Sequence, residues 1–81
     1  MTHKKRLYKA LKIELEVNVN EALLTLDLCF NNPTAIGEHT SEHFVKEAYK
    51  ALDKLTESRD KIDVLNTYIE GEIGDKKLLN D

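Results

Sequence analysis

Several residue types that usually stabilise or anchor small proteins are scarce in this chain of 81 residues. It contains one cysteine, one proline, three glycines and no tryptophan. A single cysteine cannot form an internal disulfide, which excludes the disulfide-stapled secreted domains and favours a reducing, cytoplasmic setting. A chain of this length buries only about 60% of the surface that it exposes when unfolded. We therefore expect one small domain that gains stability by association.

Long apolar runs are also missing. Clusters such as residues 22–24 end after a few positions, far short of the roughly 20 apolar residues that span a membrane. The basic start is not followed by the apolar core of a secretory signal. We expect no membrane partner and a cytoplasmic location.

Acidic residues are absent from the first twelve positions, which carry five positive charges. The cationic residues are Lys4, Lys5, Arg6, Lys9 and Lys12. The rest of the chain holds seven Lys or Arg against fifteen Asp or Glu. We interpret residues 1–10 as a basic arm that contacts nucleic acid or the acidic body of a neighbouring copy, unless it is simply a solvated terminus.

Apolar and polar residues alternate strictly from Leu11 to Val19, a period that predicts a half-buried strand. The same stretch also fits a helix, since Leu7, Leu11, Leu15 and Val19 lie four apart. The β-branched residues and asparagines of the stretch favour the strand. Asn20 would then cap a helix of about 11 residues that ends before Pro33.

A second, longer helix is predicted to begin at Thr40 or Ser41 and to run to about residue 70. Its apolar positions repeat with alternating spacings of four and three, the heptad pattern of a coiled coil. We interpret this seam as an oligomer interface, because the predicted first helix is too short to cover it. The seam residues are Phe44, Ala48, Ala51, Leu55, Ser58, Ile62, Leu65 and Ile69.

These patterns predict an α+β, mainly helical fold. Its domain would be a strand, a short helix and a long C-terminal helix over residues 11–70, completed by oligomerisation and followed by a flexible tail over residues 71–81. The alternative is an all-α helical hairpin.

Candidate chemistry is sparse. No arrangement of nucleophile, base or paired carboxylates suggests a catalytic site. His39 and His43 are four residues apart and could supply zinc ligands, but His39 precedes a helix that begins at Ser41, so the two do not share a helix face and are interpreted as solvated or capping residues. We predict no enzyme, no metal and no cofactor. The loop before the long helix can offer backbone N–H groups to a small anion. Its candidate ligand-binding residues are Gly37, His39, Thr40 and Ser41.

The order of basic arm, strand, helix, loop and helix resembles the ribbon-helix-helix repressors over roughly residues 4–55. That resemblance implies DNA reading by a strand pair, with Lys12, Glu14, Glu16 and Asn18 as the readers. Two of these four are acidic, which opposes contact with phosphates. The second helix is also longer than that family needs.

The run from Leu15 to Leu24 and the loop from Asn32 to Ser41 also resemble small accessory proteins of tailed bacteriophages. That resemblance implies a viral protein in the host cytoplasm. The leading hypothesis is a non-enzymatic homo-oligomer, a dimer or higher, that binds a host protein or sequesters a small anionic ligand. A nucleic-acid-binding regulator that uses the basic arm is the alternative.

Overall fold

Two long helices make up the fold. The computed structural model describes residues 2–31 and 40–73, and all of these except Thr2 and Thr40 are helical. Helix α1 spans His3–Asn31 and helix α2 spans Ser41–Ile73. At a rise of 1.5 Å per residue they are about 43 and 50 Å long, so α1 runs beside most of α2.

The predicted strand over residues 11–19 is wrong, and so is the α+β fold class. The chain instead forms a helical hairpin, the alternative that the sequence left open. The separate short helix is wrong too, because Asn20 lies in the interior of α1 and caps nothing.

Local sequence explains why α1 is continuous. Neither glycine nor proline interrupts residues 3–31. The asparagines and β-branched residues each cost at most about 0.7 kcal/mol of helix propensity, which packing along a whole helix outweighs. Thr2 supplies the start, because its hydroxyl oxygen accepts a hydrogen bond from the Lys5 backbone N–H at 3.2 Å and thereby caps the helix.

Helix α2 begins at the predicted place. The Thr40 hydroxyl oxygen accepts a hydrogen bond from the His43 backbone N–H at 3.1 Å, so Thr40 is the cap and Ser41 is the first helical residue. The first-turn Glu42 suits the positive end of the helix dipole. The helix continues slightly past its predicted end near residue 70, because Gly71 lies inside it.

Two contacts establish the antiparallel register of the hairpin. Near its open end, the Tyr8 hydroxyl donates a hydrogen bond to Asn66 Oδ1 at 2.9 Å. Further along, Lys54 Nζ donates to Glu21 Oε1 at 2.7 Å. The two helices advance in step between these points, since the separations along the chain are thirteen and twelve residues. The pairs therefore keep α1 and α2 side by side without a slip.

The hydrophobic core of the hairpin is small. Among the described residues, the buried apolar ones are Tyr8, Ala22, Ala51 and Ile69, and no large side chain is fully buried. The molecule measures 50 × 18 × 17 Å, with a radius of gyration of 16.6 Å. A compact domain of this length would have a radius of gyration of about 12 Å. The hairpin is thus an extended two-helix layer with little interior.

Candidate interaction surfaces

Most large apolar side chains of the described residues remain exposed. They lie on both helices and on more than one side of the hairpin. The exposed residues are Leu7, Leu11, Ile13, Val17, Leu23, Leu24, Phe30, Val45, Tyr49, Leu52, Val64 and Tyr68. Exposed apolar area of this extent is typical of a surface that another molecule covers.

The first of these surfaces is an open groove of about 750 Å³ on one flank of the hairpin, between α1 and α2. We call it the flank groove. Its apolar lining residues are Leu11, Leu15, Val64, Leu65 and Tyr68, and its polar ones are Glu14, Asn18, Asp60 and Lys61. A narrower depression beside Leu7, Tyr8 and Ile69 extends it towards the open end. The groove is therefore mainly apolar, with acidic and basic side chains among its lining residues.

A second surface lies on the face of α1 turned away from α2. Ile13, Val17 and Leu24 are separated by four and seven residues and are 62%, 49% and 61% exposed. At 100° per residue they lie roughly opposite Tyr8 and Ala22, the residues of α1 that are buried in the hairpin. We call these three residues the outer stripe. Helix α1 therefore has two apolar faces, of which the hairpin uses one.

A third apolar set lies in the first half of α2. Val45, Tyr49 and Leu52 follow one another at spacings of four and three and are all at least half exposed. They share a side of α2 that does not contain the buried Ala51 and Ser58. The exposed surface is thus divided among several separate faces.

The basic residues Lys4, Lys5, Arg6, Lys9 and Lys12 lie in the first turns of α1, where the sequence predicted a separate arm. Lys5, Lys9 and Lys12, spaced by four and three residues, are half-buried. The Lys12 ammonium lies 5.8 Å from the centroid of the Tyr8 ring, within range of a cation–π interaction. The helix therefore fixes the backbone positions from which these cations extend.

The eight seam residues of α2 all lie among its buried or half-buried positions. Leu65 and Ile69 pack in one cluster with Tyr8 of α1. Ser58, on the same face, is only 3% exposed. Because α1 is long enough to run beside the seam, the structure places these residues inside the hairpin.

The four predicted ligand-binding residues are only partly described. Gly37 and His39 lie outside the described residues. Thr40 uses its hydroxyl oxygen to cap α2, and Ser41 is an exposed residue at the start of that helix. The described half of this candidate site therefore has the geometry of a helix cap.

Within residues 2–31 and 40–73, no three His, Cys, Asp or Glu side chains are grouped so that they can hold a metal ion. Over the same ranges, neither α1 nor α2 contains a stretch that is long and apolar enough to cross a membrane.

Sequence reasoning missed Tyr8, one of the two buried residues of α1. Tyr8 was assigned to the basic arm, outside the domain. A signal was present, because Tyr8, Leu15 and Ala22 are each seven residues apart, the repeat of a helix that packs on another helix. Extending the heptad backwards from Leu15 would have included Tyr8 in the core.

Comparisons of this chain with protein-family models, with curated proteins and with solved structures find no match. Residues 11–19, where the ribbon-helix-helix layout requires a strand, belong to helix α1.

Proposed function

We propose that this chain is a non-enzymatic, homo-oligomeric interaction protein. The observation that carries this proposal is the balance between exposed and buried apolar side chains. Four apolar residues are buried in the described hairpin, and two of them are alanines, whereas twelve large apolar residues are exposed. Fully covering a large apolar side chain contributes about 1.5–3 kcal/mol, so association that covers several of these residues adds substantially to the stability of the hairpin.

The small core makes self-association the first step of this proposal. Domains of this size usually need a disulfide, a metal or a partner chain in addition to their core. With one cysteine the chain cannot form an internal disulfide. A second copy of the chain is always available as a partner wherever the chain is made. Most oligomers of soluble proteins are symmetric homo-oligomers.

The number of apolar faces supports a dimer or a higher oligomer that also binds something else. One two-fold interface covers one patch on each copy. The flank groove, the outer stripe and the Val45–Leu52 side of α2 are separate, so the remaining faces receive further copies or a different molecule. We propose that this molecule is a protein or a small anionic ligand, the latter favoured by the cations of α1.

The proposed setting is the cytoplasm, because a free cysteine such as Cys29 persists in a reducing compartment. The resemblance to phage accessory proteins would make this the cytoplasm of a host cell.

Sedimentation velocity and light scattering test the proposal directly. We expect a mass that is a multiple of 9.3 kDa and a thermal midpoint that rises with protein concentration, because association stabilises the folded state by mass action. A folded protein that stays monomeric, with a midpoint independent of concentration, would contradict it.

Thermal shift with a panel of nucleotides and phosphorylated metabolites tests the anionic-ligand part. A ligand at one hundred times its dissociation constant adds about 2.7 kcal/mol to stability. A shift with one anion supports sequestration of a small ligand. If no member of the panel shifts the thermal midpoint, a small anionic ligand is excluded and a protein remains the proposed partner.

Nucleic-acid binding is the second candidate, and the five cations at the start of α1 favour it. Affinity that depends on several phosphate contacts falls steeply with salt. Titration of the protein with duplex and single-stranded DNA and RNA at low and moderate salt tests this candidate. Binding that weakens steeply, and that the double variant Lys5→Gln, Lys9→Gln reduces, would support it. A flat response or no binding would exclude it.

A further inference from the structure

The outer face of α1 carries a second heptad pattern that the hairpin does not use. Ala10, Ile13, Val17, Asn20 and Leu24 follow one another at spacings of three, four, three and four, and all five are exposed. This repeat is the seam of a coiled coil. It extends the outer stripe over about 21 Å of helix. A helix with a seam on each side packs between two neighbours.

We propose that α1 of one copy packs antiparallel against α1 of a second copy through this outer seam, about a two-fold axis between Val17 and Asn20. This inference rests on the proposed function, because it names the surface through which the chain associates with itself. The assembly is a layer of four helices, with the two α1 helices in the middle and the two α2 helices outside.

The charges along α1 select a second copy as the occupant and antiparallel as its direction. The first ten residues of α1 carry all five of its cations and no acid, whereas residues 13–31 carry four acids and no lysine or arginine. A parallel pair would place cations beside cations. An antiparallel pair places the basic half of each helix beside the acidic half of the other, which is favourable over the length of the contact.

The register follows from matching the apolar residues. When Ile13 lies opposite Leu24 of the partner subunit, Val17 lies beside the partner's Asn20. The two Asn20 side chains then lie close to the axis, where amide groups can hydrogen-bond to each other and select one register. The small side chain of Ala10, one from each copy, lies at each end of the seam and allows the two helices to approach there.

The same register places flanking charges in pairs. Lys9 comes to the level of the partner's Asp27 and lies on the same side of the seam. Glu21 approaches the partner's Glu14, but its carboxylate already binds Lys54 of its own hairpin at 2.7 Å, which offsets this repulsion. The Lys9 pairs at the two ends of the seam therefore favour the antiparallel arrangement.

Disulfide cross-linking tests the direction. In a Cys29→Ser background, Ile13→Cys and Leu24→Cys proteins are purified separately, mixed and oxidised under mild conditions. An antiparallel seam brings position 13 of one copy against position 24 of the other and keeps identical positions about 16 Å apart along the axis, beyond the reach of a disulfide. We expect the mixed disulfide to form several-fold faster than either symmetric one.

Thr56→Cys and Thr67→Cys, in the same background, form the matched control. These positions are also eleven residues apart and exposed, and they lie on the outer side of α2. Their mixed disulfide should form at the slower rate of random collision. Circular dichroism of each variant checks that its helices are retained.

Charge exchange gives a second measurement that does not need cysteines. Asp27→Lys should raise the dissociation constant of the oligomer several-fold in sedimentation experiments at low salt. Adding Lys9→Asp to the same chain should restore association, because each pair regains opposite charges. The Asp27 change also removes the Asn31 to Asp27 side-chain hydrogen bond within α1, but the second substitution does not restore that bond.

The outcomes separate this inference from the proposed function. A monomeric Cys29→Ser protein would overturn both. An oligomer that yields symmetric 13–13 and 24–24 disulfides would overturn the antiparallel direction. An oligomer in which the stripe positions react no faster than the threonine control, or in which Lys9→Asp does not restore association, would overturn this surface and leave self-association standing through another face.

Discussion

At the scale of single residues, Tyr8 of α1 contacts α2 through both apolar packing and a hydrogen bond. Tyr8 is 3% exposed and packs with Ile69 and Leu65, while its hydroxyl donates a hydrogen bond to Asn66 Oδ1 at 2.9 Å. A tyrosine placed in this way satisfies its polar group without leaving the core. It secures the open end of the hairpin, where no loop joins the helices.

Removing this hydroxyl should weaken the hairpin. Tyr8→Phe keeps the ring but leaves the Asn66 oxygen without its donor, so we expect the free energy of unfolding to fall by about 0.5–1.5 kcal/mol. Tyr68→Phe removes a hydroxyl from an exposed tyrosine and should change stability very little. Urea unfolding at one protein concentration gives both values, and equal losses would show that the hydrogen bond contributes nothing specific.

Ser58 is a small polar residue that is buried on the face of α2 that lies against α1. Ser58→Leu should overpack this contact and lower stability by about 1–3 kcal/mol. Ser58→Ala, which adds no volume, serves as the control and should cost clearly less. If leucine raised the thermal midpoint, space would exist that the structure does not show.

At the scale of the elements, the N-termini of both helices are capped by threonines. Thr40 and Ser41 both fitted the sequence pattern, but the His43 N–H bonds to Thr40. Helix α1 starts in the same manner at Thr2. Each cap satisfies a backbone donor that the helix itself cannot pair.

Substitution distinguishes the two candidate caps of α2. Thr40→Ala should lower the free energy of unfolding by about 1 kcal/mol, because the His43 N–H loses its acceptor. Ser41→Ala, one residue later in an exposed position, should be nearly neutral. Thermal unfolding of the two single variants compares them, and a larger loss for Ser41→Ala would reassign the cap.

The element that sequence reasoning misjudged is α1, and the reason lies in particular residues. Leu11, Leu15 and Val19 turn towards α2, while Ile13 and Val17 turn away from it. Two apolar faces on a helix produce the same strict alternation over nine residues as one apolar face on a strand. Within these nine residues the pattern alone does not distinguish the two. The seven-residue repeat of Tyr8, Leu15 and Ala22 is compatible with the helix, and packing against α2 selects it.

At the scale of the whole molecule, the seam of α2 stabilises the hairpin before it can serve anything else. Ile62→Asp should therefore reduce helical content, because an unpaired charge on the α1-facing side costs several kcal/mol. Thr56→Asp introduces the same charge on the exposed side of α2 and should leave the helices intact. Circular dichroism over a range of concentrations measures both. Full helicity together with a smaller mass would instead make Ile62 a residue of the oligomer contact alone.

The sequence by itself determined the helical seam of α2, the region of its cap and the separation of cations from acids along the chain. These features are local, since spacing, side-chain chemistry and charge can be read within a few turns. Only the tertiary structure decided that residues 3–31 form one helix and which of its two apolar faces meets α2. The reason is physical: the alternation from Leu11 to Val19 satisfies a strand and a two-faced helix equally well, and only packing against the seam of α2 favours the helix.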